Sequence, residues 1–511
     1  MFKINAFFLT LLLSQAGATP LRTDRQLSEE LFISYEPQTA VTDHAAIDLD
    51  QQAIEQQLAA GTDEGRASAK DIYTNGAYSK TYAVLQLSAP LTSEVQKGVE
   101  VTGKNANGDE ILGNVLDVAE EGDTTIRVQY KTSNVQATYS TCQVGASPDP
   151  VTTGCFAPSG DIKAGANDPF TYTYDVSTGN QNARTIQGFS LQAKAKMYEC
   201  EKCPYDTYKK FYDYYGAFDY ANQWVLAAFN NANIAFTNGG ADFSKYQTEG
   251  TNEAIKKGTA YMNIWMYVIR ELEDAVDDCN NNCSTDDCND DQVHAWDEAV
   301  AFYTGSLTKQ NAKEGVLLYT LAQKRCLNFG TCGDDGVAGV NTQIFNFFSA
   351  GKQHLQQGKC DDAKALVPKI TSLMTIPLVQ GTIRYAHIIG QESGMTEKAE
   401  AEGAVFAASV LPVLHSCNAG DASTVYNNMK VGSGANVDFA AVKKAFEDNY
   451  ACMGINCADV GGMLQADGEN FFAGAEPCTG GAPSNTASKS GAYETGVAVA
   501  AGISAIVAAL I

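Results

Sequence analysis

His294 to Leu307 reads HAWDEAVAFYTGSL, and its periodicity sets the architecture around it. Apolar residues recur at helical rather than alternating intervals, so the stretch is expected to be a helix. Trp296, Val300 and Tyr303 fall on one face, and Asp291, His294 and Glu298 on another. Its middle, Glu298–Phe302 (EAVAF), returns as Glu402–Phe406 (EGAVF). Two earlier echoes keep the same order: Ala221–Val225 (ANQWV) with Val340–Ile344 (VNTQI), and Gly258–Tyr261 (GTAY) with Gly381–Tyr385 (GTIRY). The pattern predicts a duplicated helical unit, about 205–310 and 335–417, inside a helical domain spanning 198–480. Identity between the copies is low, so coincidence stays open as the alternative.

Upstream the period changes to two. The runs YAVLQLS, GVEVTGK, TTIRVQY, FTYTYDV and TIQGFSLQAKAKM alternate or are β-branched, with turns such as Asn107-Gly108 and Glu121-Gly122 between them. Residues 75–197 are therefore expected to form a β-sandwich-like domain. Ahead of it, a segment 19–74 carries an amphipathic helix over Thr42–Ala60, started by Asp43. The fold class is α+β: an N-terminal β-sandwich-like domain, then a larger, internally duplicated α-helical region.

At 511 residues the chain can bury more than one core. Its net charge of -25 excludes a nucleic-acid partner, which demands a basic footprint, and suits cations. Residues 1–18 read as a signal peptide, with an apolar run from Ala6 to Leu13 and an A-x-A site at Ala16-Gly17-Ala18. The fourteen cysteines then fall in an oxidising compartment and are expected to pair. Cys142/Cys155, Cys200/Cys203 and Cys452/Cys457 are spaced for local bridges. The cluster Cys279, Cys283, Cys288 lacks a second thiol pair or histidine at zinc spacing. In the linker and anchor region 481–511, small residues Ser484 to Ala487 precede an apolar tail from Gly496 to Ile511, the layout of a GPI signal. A short transmembrane anchor is the other reading. Either one puts the protein on the outer face of a membrane.

Enzyme signatures are missing: there is no Walker loop, G-x-S-x-G elbow, H-E-x-x-H or paired E-x-x-H. Binding, not catalysis, is expected. The candidate metal ligands are His294, Asp297 and Glu298 in the opening stretch, and Glu402 at the matched position of the second repeat. Glu402 stands at the apolar run Ala404 to Leu414, where an acid is costly to bury unless it is paired or metal-bound. Two equivalent carboxylates across a repeat interface would make a cation site; local salt bridges are the bland alternative. GTIRYAHIIGQE adds Tyr385 and His387 as ligands and Arg384 as an anion-binding residue, since arginine among apolar neighbours usually has an anionic partner, either a carboxylate of the fold or a bound small anion. Tyrosines 205, 208, 212, 214, 215 and 220 crowd the start of the helical region with Asp206, Asp213 and Asp219. They supply hard oxygen donors suited to ferric iron, or they pack as amphipathic aromatics.

The long segments DHAAIDLDQQAI, DIYTNGAYSK, CQVG…GC, RTIQGFSLQAKAKM, ECEKCPYDTYKKFYDYYGAFDYA and HAWDEAVAFYTGSL carry a resemblance over nearly the whole mature chain. The chain resembles the phytotransferrins, the iron-starvation-induced surface proteins of diatoms and related algal low-iron-induced iron-assimilation proteins. That resemblance implies Fe(III) binding at the cell surface with carbonate as synergistic anion, then endocytosis and release of iron in an acidifying vesicle. The partners expected are then endocytic or reductase proteins, and the membrane through the C-terminal anchor read from the apolar tail. An anchored adhesion or receptor ectodomain is the alternative.

Overall fold

The computed structural model describes residues 33–39, 41–77, 79, 81–115, 118–130, 154–175, 180–182, 184–281, 292–307, 314–391, 396–434 and 436–479. The signal peptide, the apolar tail, Asp291 and the cysteines 142, 283 and 288 lie outside them.

The N-terminal helices are α1 (Thr42–Ala45), α2 (Ile47–Ala59) and α3 (Asp63–Asn75). The expected single helix is broken at Ala46, and Thr62 caps α3 by accepting from the amide of Gly65 at 3.1 Å. Seven strands follow: β1 (Thr81–Leu87), β2 (Glu100–Lys104), β3 (Glu110–Val115), β4 (Thr125–Tyr130), β5 (Ser159–Ala164), β6 (Phe170–Thr173) and β7 (Asn180–Asn182). Their order is β4-β3-β2-β5-β6-β1-β7, and β1 also pairs with β4. That extra pairing closes six strands into a barrel, where a sandwich-like packing was expected. The cause is β1: Tyr82–Gln86 pair with β4 on one edge, while Gln86 and Leu87 pair with β6 on the other. No open edge is left between them. Inward residues fill the barrel with Leu85, Val101, Ile126, Val128, Ile162 and Tyr172, and the ring of Phe156 lies where a Cβ on Gly103 would stand, 2.7 Å away.

TIQGFSLQAKAKM, expected as a strand, is helical. Thr185 caps α4 (Ile186–Leu191) through the Gly188 amide at 2.8 Å, and one π-helical turn, Lys194–Tyr198, continues it. A capped amide has no partner to spare for a ladder. The helical body then runs through α5 (Asp206–Tyr215), α6 (Tyr220–Phe229), α7 (Thr248–Gly258), a π-turn Thr259–Ile264, α8 (Trp265–Asn280), α9 (Gln292–Thr304) and α10 (Leu318–Phe329). After them come α11 (Gly339–Gln356), α12 (Cys360–Lys364), α13 (Val367–Gln391), α14 (Glu397–Cys417), α15 (Ala419–Met429), α16 (Phe439–Glu447) and α17 (Cys457–Val460). The echoed segments fall on helices in matching order, α9 packing on α8 and α14 on α13. The α+β class is borne out.

Barrel and helical body have separate cores, and α1 to α3 belong to the helical one. The chain thus leaves the helical body after Asn75 and re-enters it at Thr185, with Thr81 of β1 directly opposite Asn182 of β7.

Disulfides join Cys200–Cys203, Cys279–Cys360, Cys326–Cys332, Cys417–Cys452 and Cys457–Cys478. The Cys200/Cys203 bridge was expected. Cys452 and Cys457 do not join each other: Cys452 bridges to Cys417 at the end of α14, and Cys457 to Cys478. Cys155 is disulfide-bonded, its expected partner Cys142 lying outside the described residues, and Cys279 is spent on Cys360 rather than on a metal. Among the described residues, no helix is long and apolar enough to cross a membrane.

Candidate metal centre

Helix α9 is buried along nearly its whole length, with Trp296 wholly enclosed and its indole donating to the Phe348 carbonyl at 2.9 Å. His294 and Glu298, one turn apart, share the face that meets α1. There α1 supplies His44, only 2% exposed. The Nε2 of His44 contacts Oε1 of Glu298, and Nε2 of His294 lies 3.4 Å from that same oxygen. One ligand atom from each of His44, His294 and Glu298 falls within 4.8 Å of the others. The two rings meet edge to face at 5.5 Å.

Two aspartates hold the N-terminal segment to α9. Asp297 accepts at Oδ1 from Tyr35 Oη (2.5 Å), and at Oδ2 from the amides of Gln38 (2.7 Å) and Thr39 (2.8 Å) and the Thr39 hydroxyl (2.9 Å). Asp48 accepts at Oδ2 from the amide and hydroxyl of Ser306, at 2.8 and 2.7 Å. His44 sits between these clamps. Thr39 also orients His294: its Oγ1 is 2.9 Å from Nδ1. A hydroxyl has one proton, and the carboxylate of Asp297 can only accept it. The Thr39 oxygen must then accept from Nδ1–H of His294, which directs Nε2 at Glu298 and makes it the ring nitrogen that a metal would take in place of a proton. This is the outer-shell arrangement that prepares a histidine for a metal. Burial raises the Asp297 pKa, though Tyr35 and Thr39 oppose the rise. Asp297 therefore supports the cluster from one layer back.

Burial pushes the Glu298 carboxyl up, but His44 and His294 outweigh it and hold it well below the usual carboxylate range. Arg184 Nη2 stands 3.8 Å from Glu298 Oε1, and its guanidinium lies over Phe302. Behind them is Glu271 of α8, 1% exposed and bonded to Arg270 through Oε2, with Oε1 lacking a hydrogen-bond partner. Burial above all, opposed by Arg270 and reinforced by Glu298, lifts its pKa to about 8. Tyr267, stacked on Phe189 at 3.8 Å, is the phenol in this group, and burial raises its pKa. Two imidazoles and a carboxylate with further oxygens close by suit iron or zinc.

The other sequence-derived candidates lie elsewhere. Glu402 of α14 does not face Glu298; it meets Glu253 of α7, whose carboxylate is 3.1 Å from Lys257 Nζ. Burial dominates at Glu402 and raises its pKa, whereas the lysines hold Glu253 down at about 2. Tyr385 hydrogen-bonds Glu402 and stacks on Phe406 at 5.9 Å, and the Arg384 guanidinium lies 5.1 Å from the centre of the Tyr385 ring. His387 packs between Phe439 and Phe472, in neither cluster. The early tyrosines build an aromatic core: Tyr215 stacks on Tyr220 at 4.7 Å, Tyr208 donates to the Phe218 carbonyl at 2.5 Å, and Tyr205 donates to Asp277 at 3.0 Å. Burial raises all four phenols toward the neutral form.

Fold and site together define a disulfide-braced α+β protein whose helical body buries a two-histidine, one-carboxylate cluster. The chain belongs to the low iron-inducible periplasmic protein (Fea1) family, whose model matches residues 220–479, just over half of its length. No match is found among curated proteins, nor among solved structures. The resemblance to iron-starvation-induced proteins is borne out, and it ties the chain to iron. The periplasmic designation and the disulfides agree with a place outside the cytosol.

Proposed function

We propose that this protein binds Fe(III) for high-affinity uptake at the cell surface, acting by capture and release rather than by turnover. The observation that carries the reading is the convergence of His44, His294 and Glu298 in a chain of a low-iron-induced family. These three residues take the ion, Glu271 and Tyr267 stand next to them as further oxygen donors, and carbonate fills open coordination positions on the side of Arg184. Arginine suits that role because its planar donors match a small oxyanion. Endocytosis would carry the loaded protein into an acidifying vesicle. Protons compete with the metal for imidazole nitrogens, so acidification loosens the site.

The test is a ferric titration of the folded ectodomain by visible absorption and calorimetry, with and without bicarbonate. Saturable binding at one ion per chain, stronger with bicarbonate and lost in His44→Ala and Glu298→Ala, is the expected result. Iron binding unchanged in both variants would remove the reading.

A further inference from the structure

Arg325 of α10 is 7% exposed, yet its Nε and Nη1 are fully buried and make no hydrogen bond. Its guanidinium lies 5.7 Å from the Phe406 ring centre and 6.0 Å from that of Tyr385, the ring that Arg384 also approaches. A buried cation with idle donors is costly unless something answers its charge.

The acids nearby are bonded to other partners, although Glu402 also acts on Arg325 through its charge. Glu253 is already matched by Lys257 at 3.1 Å and Lys256 at 3.8 Å. Glu402 is turned toward Glu253 and Tyr385. Glu55 accepts from Gln51 at 3.0 Å. On the cationic side, Lys324 is exposed and Arg384 half-buried, and among the described residues neither forms an ion pair with an acid. In a chain of net charge -25, two further cations, Lys324 and Arg384, thus stand near one buried guanidinium, with Tyr385, Glu402 and Tyr261 as its other ionisable neighbours.

We propose that Arg325 is the floor of a second site, separate from the His44–His294–Glu298 cluster, that binds a small inorganic oxyanion of phosphate or carbonate size. Guanidinium donors recognise such anions through charge-assisted hydrogen bonds. Lys324 and Arg384 steer the anion in from solvent, and the idle Nε and Nη1 of Arg325 donate to it. This goes beyond the iron reading and does not depend on it.

The experiment is calorimetry and thermal melting of the metal-free protein, titrated separately with phosphate, sulfate and bicarbonate. One anion should bind per chain and raise the melting temperature. Arg325→Met should weaken it by on the order of 10–100-fold, and Lys324→Gln by less. His44→Ala should leave it untouched, and comparison among the three anions identifies the source. If Arg325→Met does not fold, Lys324→Gln and Arg384→Gln carry the test: unchanged anion affinity in both overturns the proposal. So does the absence of binding by all three anions, or loss of binding in His44→Ala with retention in Arg325→Met.

Discussion

The hydroxyl of Thr39 stands 2.9 Å from Nδ1 of His294, and this contact decides which ring nitrogen faces the cluster. Because Asp297 takes the hydroxyl proton, Thr39→Val should leave the ring free to choose the wrong tautomer. Iron affinity is expected to fall by roughly 10–100-fold while the fold persists. Thr39→Ser should restore it. Equal binding by Thr39→Val and wild type in a competitive chelator titration would defeat the tautomer argument.

Glu298 and Glu402 occupy matching places in the sequence but different clusters in space. Glu298→Gln should therefore abolish iron binding, and Glu402→Gln should change iron affinity by less than about threefold, well under the ~1.4 kcal/mol of a tenfold step. A shared cation site between the two acids predicts equal losses, so parallel titrations separate the two arrangements.

Glu271 makes stability depend on pH in an unusual direction. Its folded pKa of about 8 lies above the ordinary 4.5, so the native state holds a proton that the unfolded chain has released. Stability of the metal-free protein should fall as pH rises from 4.5 to 8, by on the order of 1 kcal/mol per pH unit. Glu271→Gln keeps a neutral side chain throughout and should flatten that slope. Urea melts at several pH values read it directly, and parallel slopes for variant and wild type would contradict it.

Gly351 in α11 faces the indole of Trp296, and a Cβ there would meet Cζ2 at 2.0 Å. Gly351→Ala must displace either the helix or the tryptophan, a cost of roughly 1–3 kcal/mol from overpacking. Since Trp296 lies between His294 and Asp297, the same change should weaken iron binding. Thermal melts and tryptophan emission monitor both effects.

How much of this was legible in the sequence follows from the range of each signal. The i, i+4 relation of His294 and Glu298 is local, and helical periodicity displayed it. In the sequence His44 shows only as part of a helix start, because nothing in a periodic pattern links residues this far apart; its one hint is that the chain holds only five histidines. Glu402 was seen to need a partner, but Glu253 and Lys257 come from another helix, so the partner was misassigned to the repeat mate. Alternation in TIQGFSLQAKAKM imitated a strand, and the Thr185 cap, a single hydrogen bond, decided otherwise. The strands were legible one by one. Their closure into a ring was not, since it depends on β1 pairing at both of its edges.

The barrel's point of departure and point of return face each other across one pair of residues, Thr81 and Asn182. Topologically it is a side branch hung on a closed doorway, and the helical body could be spliced shut beneath it by a short turn. Evolution is then free to enlarge, exchange or discard the branch without moving His44 relative to His294 and Glu298. The metal cluster and the barrel can answer to different selective pressures within one polypeptide.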